Sequence, residues 1–122
     1  MHNETNTEAV KKYYPSIPAE DGFFYESEDE EALKIETKIH ENGNKTKKTI
    51  LQNGKVAIVR ELSGRDTKAV TRFVGKDEER FQTAGITIAT TIDGKPETFE
   101  FFEGLKWKDS NRLLMMFSEL NF

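Results

Sequence analysis

Asn53-Gly54-Lys55-Val56-Ala57-Ile58-Val59-Arg60-Glu61-Leu62-Ser63-Gly64-Arg65-Asp66 is the stretch on which the fold turns. Asn53-Gly54 suits the positive φ angles of a tight hairpin turn. Val56 and Ile58, continued by Leu62, then mark the face of a strand by their period of two. At Ser63 the period changes to that of a helix. Ser63 and Asp66 have the spacing of a capping box, with Ser63 as N-cap and Asp66 at the third helical position. The end of a sheet and the start of a helical half therefore lie in one short segment.

Working towards the N-terminus, Leu33, Ile35, Thr37 and Ile39 alternate with Lys34, Glu36, Lys38 and His40, the pattern of a half-buried strand. Glu41-Asn42-Gly43-Asn44 supplies a turn, and a second strand covers 45–51. The result is an antiparallel meander of about three strands. Its many lysines are expected to point outward and protect the edges.

Towards the C-terminus, Ala69, Val70, Phe73 and Val74 form one apolar stripe that Gly75 ends. Asp77 caps a second helix, with Glu78 and Glu79 in its first turn and Phe81, Ala84, Ile88 and Ile92 on its buried face. Asp93-Gly94 breaks that helix. Pro96 suits the first position of a short third helix whose inner face is Phe99 and Phe102, and Gly104 ends it. Asp109 or Ser110 caps the closing helix, whose stripe is Leu113, Leu114, Phe117 and Leu120. The predicted class is α+β: the meander followed by a small bundle of about four helices, one domain over 33–122.

Residues 1–32 read as an acidic, partly flexible arm. Residues 1–33 carry nine acidic side chains against Lys11 and Lys12, a net charge of −7 in a chain whose total is −4, so the remainder is mildly basic at +3. A short helix over 7–14 would be stopped by Pro15 and Pro18. Phe23-Phe24-Tyr25 is too aromatic for a purely disordered segment and is expected to dock, either on its own domain or on a partner.

Composition narrows the chemistry. The absence of cysteine excludes disulfides, thiolate metal sites and cysteine nucleophiles. No stretch reaches the length of a membrane span, and the N-terminus lacks the apolar core of a signal peptide, so a cytoplasmic protein is expected. His2 and His40 have no second histidine at ligand spacing. Glu78 with Glu79, and Glu97, Glu100 and Glu103, offer carboxylate pairs, but the helix dipole explains the first set and a solvated face the second. The glycines form neither a phosphate loop nor a dinucleotide fingerprint. Gly85 alone lies inside a helical pattern, where it allows close packing or marks a kink. Lys34, Lys38, Lys45, Lys47, Lys48 and Lys55 make the hairpins basic, yet the interleaved aromatics of a nucleic-acid surface are missing. No catalytic residue, cofactor, metal, nucleic acid or membrane is expected.

What stands out is a surplus of large apolar residues near the C-terminus. Phe99, Phe101 and Phe102 cannot all face inward on one short helix. Trp107 falls in a connection, Met115 and Met116 follow Leu114, and Phe122 is the last residue. Phe101, Leu105, Trp107, Met115, Met116 and Phe122 are therefore the candidate protein-binding residues, since aromatic and Met surface is a mark of such patches. The alternative is that a small core uses them all.

The segment 53–66, together with Ile92-Asp93-Gly94-Lys95-Pro96, Phe101-Phe102-Glu103-Gly104-Leu105, Lys108-Asp109, Leu113-Leu114 and Phe117, resembles the tail assembly chaperones of long-tailed bacteriophages and prophages. In that family a strand ending in an Arg-Glu-Leu-x-Gly-Arg-Asp-like turn leads into helices, with an Asp-Gly-Lys segment and an Asp-capped helix later. The resemblance covers about residues 48–122. Where the family often has Glu-Asp-Leu, this chain has Phe101-Phe102-Glu103. The resemblance implies a non-enzymatic protein of the bacterial host's cytoplasm that binds the tape-measure protein, and in some cases the tail tube protein, keeping the former soluble during tube assembly. The rival expectation is a structural tail or baseplate component retained in the particle.

Overall fold

The computed structural model describes residues 17–18, 22–74 and 80–122. The helix expected over 7–14, the stop at Gly75, the start at Asp77, Glu78 and Glu79, and the side chains of Phe73 and Val74 lie outside the described residues, as does His2.

The fold is α+β. Among the described residues, seven antiparallel strands lie side by side in chain order: β1 (Ile17–Pro18), β2 (Phe24–Tyr25), β3 (Ile35–Ile39), β4 (Lys45–Ile50), β5 (Val56–Arg60), β6 (Thr90–Ile92) and β7 (Lys95–Pro96). Helices α1 (Gly64–Val74) and α2 (Phe81–Ala89) are inserted between β5 and β6, and α3 (Phe99–Glu103) and α4 (Trp107–Asn121) follow β7. The expected meander is its centre, β3 to β5. Its turns use Gly43 at φ +88° and Gly54 at φ +87°, while Asn42 and Asn53 stay out of the positive-φ region, so only the glycine of each Asn-Gly pair takes the left-handed conformation.

The sheet is larger than the three strands expected: β1 and β2 extend one edge, and β6 and β7 the other, because Thr90-Thr91-Ile92 is a strand and not the end of α2. Its β-branched residues alternate, with Thr90 and Ile92 buried and Thr91 half-buried, and it pairs with β5 through Val59↔Thr90, Ile58↔Thr91 and Ala57↔Ile92. Asp93 and Gly94 have φ of 51° and 81°, which makes them the two centre residues of a hairpin. Asp93 also exchanges two 2.8 Å hydrogen bonds with the Val56 backbone: its own N–H donates to the Val56 carbonyl, and its carboxylate accepts from the Val56 N–H. Pro96 consequently sits on the sheet edge, where a missing N–H is harmless. The N-cap of α3 is Thr98, whose hydroxyl accepts from Phe101 N–H at 3.1 Å.

The core-facing register of the sheet also differs from the expected one. In β5 it is Ala57 and Val59 that are fully buried, while Val56 and Ile58 lie half-buried on the opposite face. All four residues are apolar, so the period of two defines two faces without choosing between them. The choice falls to the helices: Ala57 and Val59 join Ile35 and Ile92 from the sheet, Leu51 from the turn after β4, Ile86 and Ala89 from α2, Phe102 from α3 and Leu113, Met116 and Phe117 from α4 in the main core. A satellite cluster of Val70, Ala84 and Phe99 ties α1, α2 and α3 together. Ala69, by contrast, is exposed.

Lys47 is another correction. The same register that buries Thr37 and Val59 places Lys47 between them on the inner face, with only 5% of its side chain exposed. Its ammonium is held by Glu26 at 3.2 Å and by Glu119 of α4 at 3.4 Å. Buried charges persist when paired in this way.

The capping box is formed as expected. Ser63 N–H donates to the Asp66 carboxylate at 2.8 Å and Asp66 N–H to the Ser63 hydroxyl at 3.4 Å. Arg60, at the end of β5, adds a two-pronged contact to Asp66 at 2.8 and 3.0 Å, which pins α1 to the sheet. The Arg60 fork and then the Ser63 N–H hold the Asp66 carboxyl well below the usual carboxylate range.

Phe23-Phe24-Tyr25 docks in cis. Phe24 pairs with Thr37 and Tyr25 with Glu36, adding β2 to the sheet. The Lys48 ammonium sits 4.2 Å from the centre of the Phe23 ring, a cation–π contact.

Candidate protein-binding surface

Helix α4 organises the apolar surface, and two side chains fix its ends. Lys106 is the N-cap, and α4 starts at Trp107, earlier than a cap at Asp109 or Ser110 would allow. Asp109 occupies the third helical position and is buried. Both of its carboxylate oxygens accept from the Gln52 N–H, at 3.2 and 3.3 Å, in the turn between β4 and β5. A carboxylate in the first turn also complements the helix dipole. At the other end the Asn121 side chain accepts from Leu62 N–H at 2.6 Å and donates to the Phe117 carbonyl at 3.0 Å. Asp109→Ala leaves the part-buried Gln52 N–H without this acceptor and is expected to cost about 1.5–3 kcal/mol, the range for hydrogen bonds to charged groups. Denaturant unfolding measures this, and Asp109→Asn, which keeps an acceptor, is expected to recover part of it.

So anchored, α4 divides the candidate residues. Met116 has 0% exposure and belongs to the core, which removes it from the expected binding set: it lies one turn beyond Leu113 and beside Phe117 on the inward stripe. Phe101 and Leu105 are half-buried and packed against the core. Phe101 meets Phe102 edge-on at 5.2 Å and carries Lys55 5.8 Å from its ring centre. Trp107 is 80% exposed and Met115 42% exposed. Phe122, 82% exposed, is at the opposite end of α4, edge-on to Phe117 at 5.9 Å. The six candidates therefore do not form one patch.

Trp107 and Met115 share an open groove of about 590 Å³ with Lys34, Gln52 and Arg112. Phe122 lines a separate hollow of about 220 Å³ with Leu62, Phe81 and Phe117. A third hollow, about 210 Å³, adjoins the Trp107 groove and shares Glu31 and Met115 with it. Its floor is Ile35, Thr37 and Lys47, and its rim includes Glu26, Asp29 and Glu119. Sequence reasoning missed this hollow. The signal for half of it was present in the Glu26–Glu31 run, but nothing in the chain marked Lys47 as its floor.

Two polar groups elsewhere are engaged, whereas the buried Thr90 hydroxyl has no hydrogen-bond partner among the described residues. His40 Nε2 lies 3.1 Å from the Thr46 hydroxyl, and the Ser63 hydroxyl donates to Asp66 at 3.0 Å. Among the described residues, no group of three or more His, Asp or Glu is placed to hold a metal, and no helix is long and apolar enough to cross a membrane. The chain matches no protein-family model, no curated protein and no solved structure.

Proposed function

We propose that this chain is a non-catalytic tail assembly chaperone of a long-tailed bacteriophage or prophage. It binds the tape-measure protein in the cytoplasm of the bacterial host and keeps it soluble until tail tube subunits cover it. The reading rests on the resemblance of residues 48–122 and on one observation in particular. Trp107, the chain's single tryptophan, stands in water at the corner of a tethered helix, two turns from the exposed Met115, over an open groove. Trp is the side chain most enriched among binding hot spots, and Met adapts to varied apolar partners. A long helical client exposes apolar stripes until it is packaged, and a groove with such anchors suits a helix laid along it.

The test is co-expression of this chain with the tape-measure-like protein encoded nearby. The long partner is expected to be soluble and to co-purify only when this chain is present. Trp107→Ala with Met115→Ser is expected to reduce recovery of the client about tenfold or more, the effect of one hot-spot side chain. Stability should stay within about 0.5 kcal/mol, as for other surface changes. A large loss of stability in that variant would assign Trp107 and Met115 to structure and not to binding. Finding the chain in washed, purified particles would identify a retained tail or baseplate component instead.

A further inference from the structure

The Trp107 groove and the neighbouring hollow run end to end along one side of α4, with Met115 and Glu31 at their junction. Lys108, Arg112, Met115 and Glu119 succeed one another at intervals of four, three and four, so they form one stripe of the helix. From Lys108 to Glu119 that stripe rises about 16 Å, the length of three helical turns. The opposite wall comes from the segment 26–34 that precedes β3.

The two ends of this trough carry opposite charge. The end beside Trp107 has Lys34, Lys108 and Arg112 against Glu31 alone. Glu31 is already engaged, by Lys34 at 2.8 Å and by Arg112 at 3.9 Å across the groove, and the Lys34 hydrogen bond holds its carboxyl below the usual range. The far end has Glu26, Asp29 and Glu119 against Lys47 alone. Met115, at the junction, and Ala32 and Ile35, within the far hollow beside it, give the trough an apolar stretch. A trough with a cationic end, an apolar stretch and an anionic end is complementary to one kind of occupant.

We infer that the trough binds a helical segment of about three turns whose charges are segregated, with acidic residues at one end, apolar residues in the middle and Lys or Arg at the other. The acidic end lies against Lys34, Lys108 and Arg112 beside Trp107, and the basic end lies against Glu26, Asp29 and Glu119. Electrostatic complementarity of this sort sets the direction of a bound helix and rejects mismatched ones. The inference rests on the reading of this surface as the client site and adds the client's charge order and its direction along α4.

Because Trp107 is the chain's single tryptophan, its fluorescence reports on the cationic end directly. The probes are two synthetic helical peptides of identical composition, lacking Trp and Tyr, one with its Glu and Lys residues segregated to opposite ends about a Leu centre and one with them interspersed. The segregated peptide is expected to shift the Trp107 emission to the blue saturably and to bind about tenfold more tightly than the interspersed one. Lys108→Glu, on an exposed position, is expected to remove most of that preference while leaving the fold unchanged. A paramagnetic tag on the peptide's acidic end is expected to broaden the Trp107 indole resonance more strongly than a tag on its basic end.

Equal affinities, no binding by either peptide, or a preference that survives Lys108→Glu would overturn the inference. So would a concentration-dependent dimer that Lys108→Glu dissociates, since a second copy would then cover the trough. Co-purification of the full-length tape-measure-like protein is scored on the same wild-type and Lys108→Glu chains. If that client co-purifies but the peptides do not differ, the charge order fails and the chaperone reading stands. If the segregated peptide is preferred but the client does not co-purify, the trough's polarity stands and the chaperone reading fails.

Discussion

Glu26→Ala combined with Glu119→Ala is expected to destabilise the protein by about 3–5 kcal/mol, the cost of stripping the partners from a buried charge. Both carboxylates lie at the rim of the trough, 31% and 46% exposed, and surface ion pairs of that exposure are ordinarily worth less than about 1 kcal/mol. What raises the figure is Lys47 below them. Its ammonium is buried on the inner face of the sheet, so removing its partners leaves a charge with little water to solvate it. Glu26 also accepts a 3.1 Å hydrogen bond from the fully buried Thr37 hydroxyl, which loses its partner in the same variant. The converse substitution, Lys47→Met, leaves two carboxylates that can turn to solvent and is expected to be neutral or stabilising. Adding Lys47→Met to the double variant is expected to restore most of the loss. Urea unfolding of the four chains measures the cycle. A double variant as stable as wild type would mean that the Lys47 chain reaches water by another route.

Phe117→Ala is expected to cost about 3–5 kcal/mol, through lost burial and the cavity left behind. Phe117 is among the largest fully buried side chains and lies where α4 crosses α2. The same ring explains Gly85. A Cβ built at position 85 would meet the Phe117 ring at 2.6 Å, a distance that cannot stand unless the ring moves. Two effects oppose one another in Gly85→Ala. Helix propensity favours Ala by about 0.8–1.0 kcal/mol, while overpacking costs about 1–3 kcal/mol. With Phe117 buried and backed by Phe122, overpacking is expected to win, for a net loss of about 1–2 kcal/mol. Phe117→Leu in the Gly85→Ala background is expected to cost less than Phe117→Leu alone, because the shorter side chain leaves room for the new methyl group. A rise in melting temperature for Gly85→Ala would show that the ring can swing aside and that the contact is soft.

Several features were legible in the chain because their signals are local. The Asn-Gly turns, the capping box at Ser63 and Asp66, the meander and the inward stripe of the closing helix each depend on neighbouring residues and on backbone sterics. Asp93-Gly94 was ambiguous for the same reason that Asn53-Gly54 was clear. An Asp-Gly pair can end a helix or turn a hairpin, and only pairing of Thr90-Thr91-Ile92 with β5 selects the second. The candidate site was legible in part. Surplus aromatic and Met residues can be counted from the sequence, but Met115 and Met116 are adjacent and point about 100° apart around the helix, so which one meets water depends on how α4 is rolled against the sheet.

By itself, then, the sequence determined the two turns of the central meander and the capped start of α1, that the class is α+β, and that apolar residues are concentrated near the C-terminus. Tertiary structure decided which face of each element is inside. It buried Ala57 and Val59 in place of Val56 and Ile58, drew Lys47 beneath two carboxylates that lie 21 and 72 residues away along the chain, and set Trp107 beside Lys34 and Arg112. The physical reason is that periodicity defines the faces of a strand or helix, whereas the burial that chooses among them is a property of the surface packed against it.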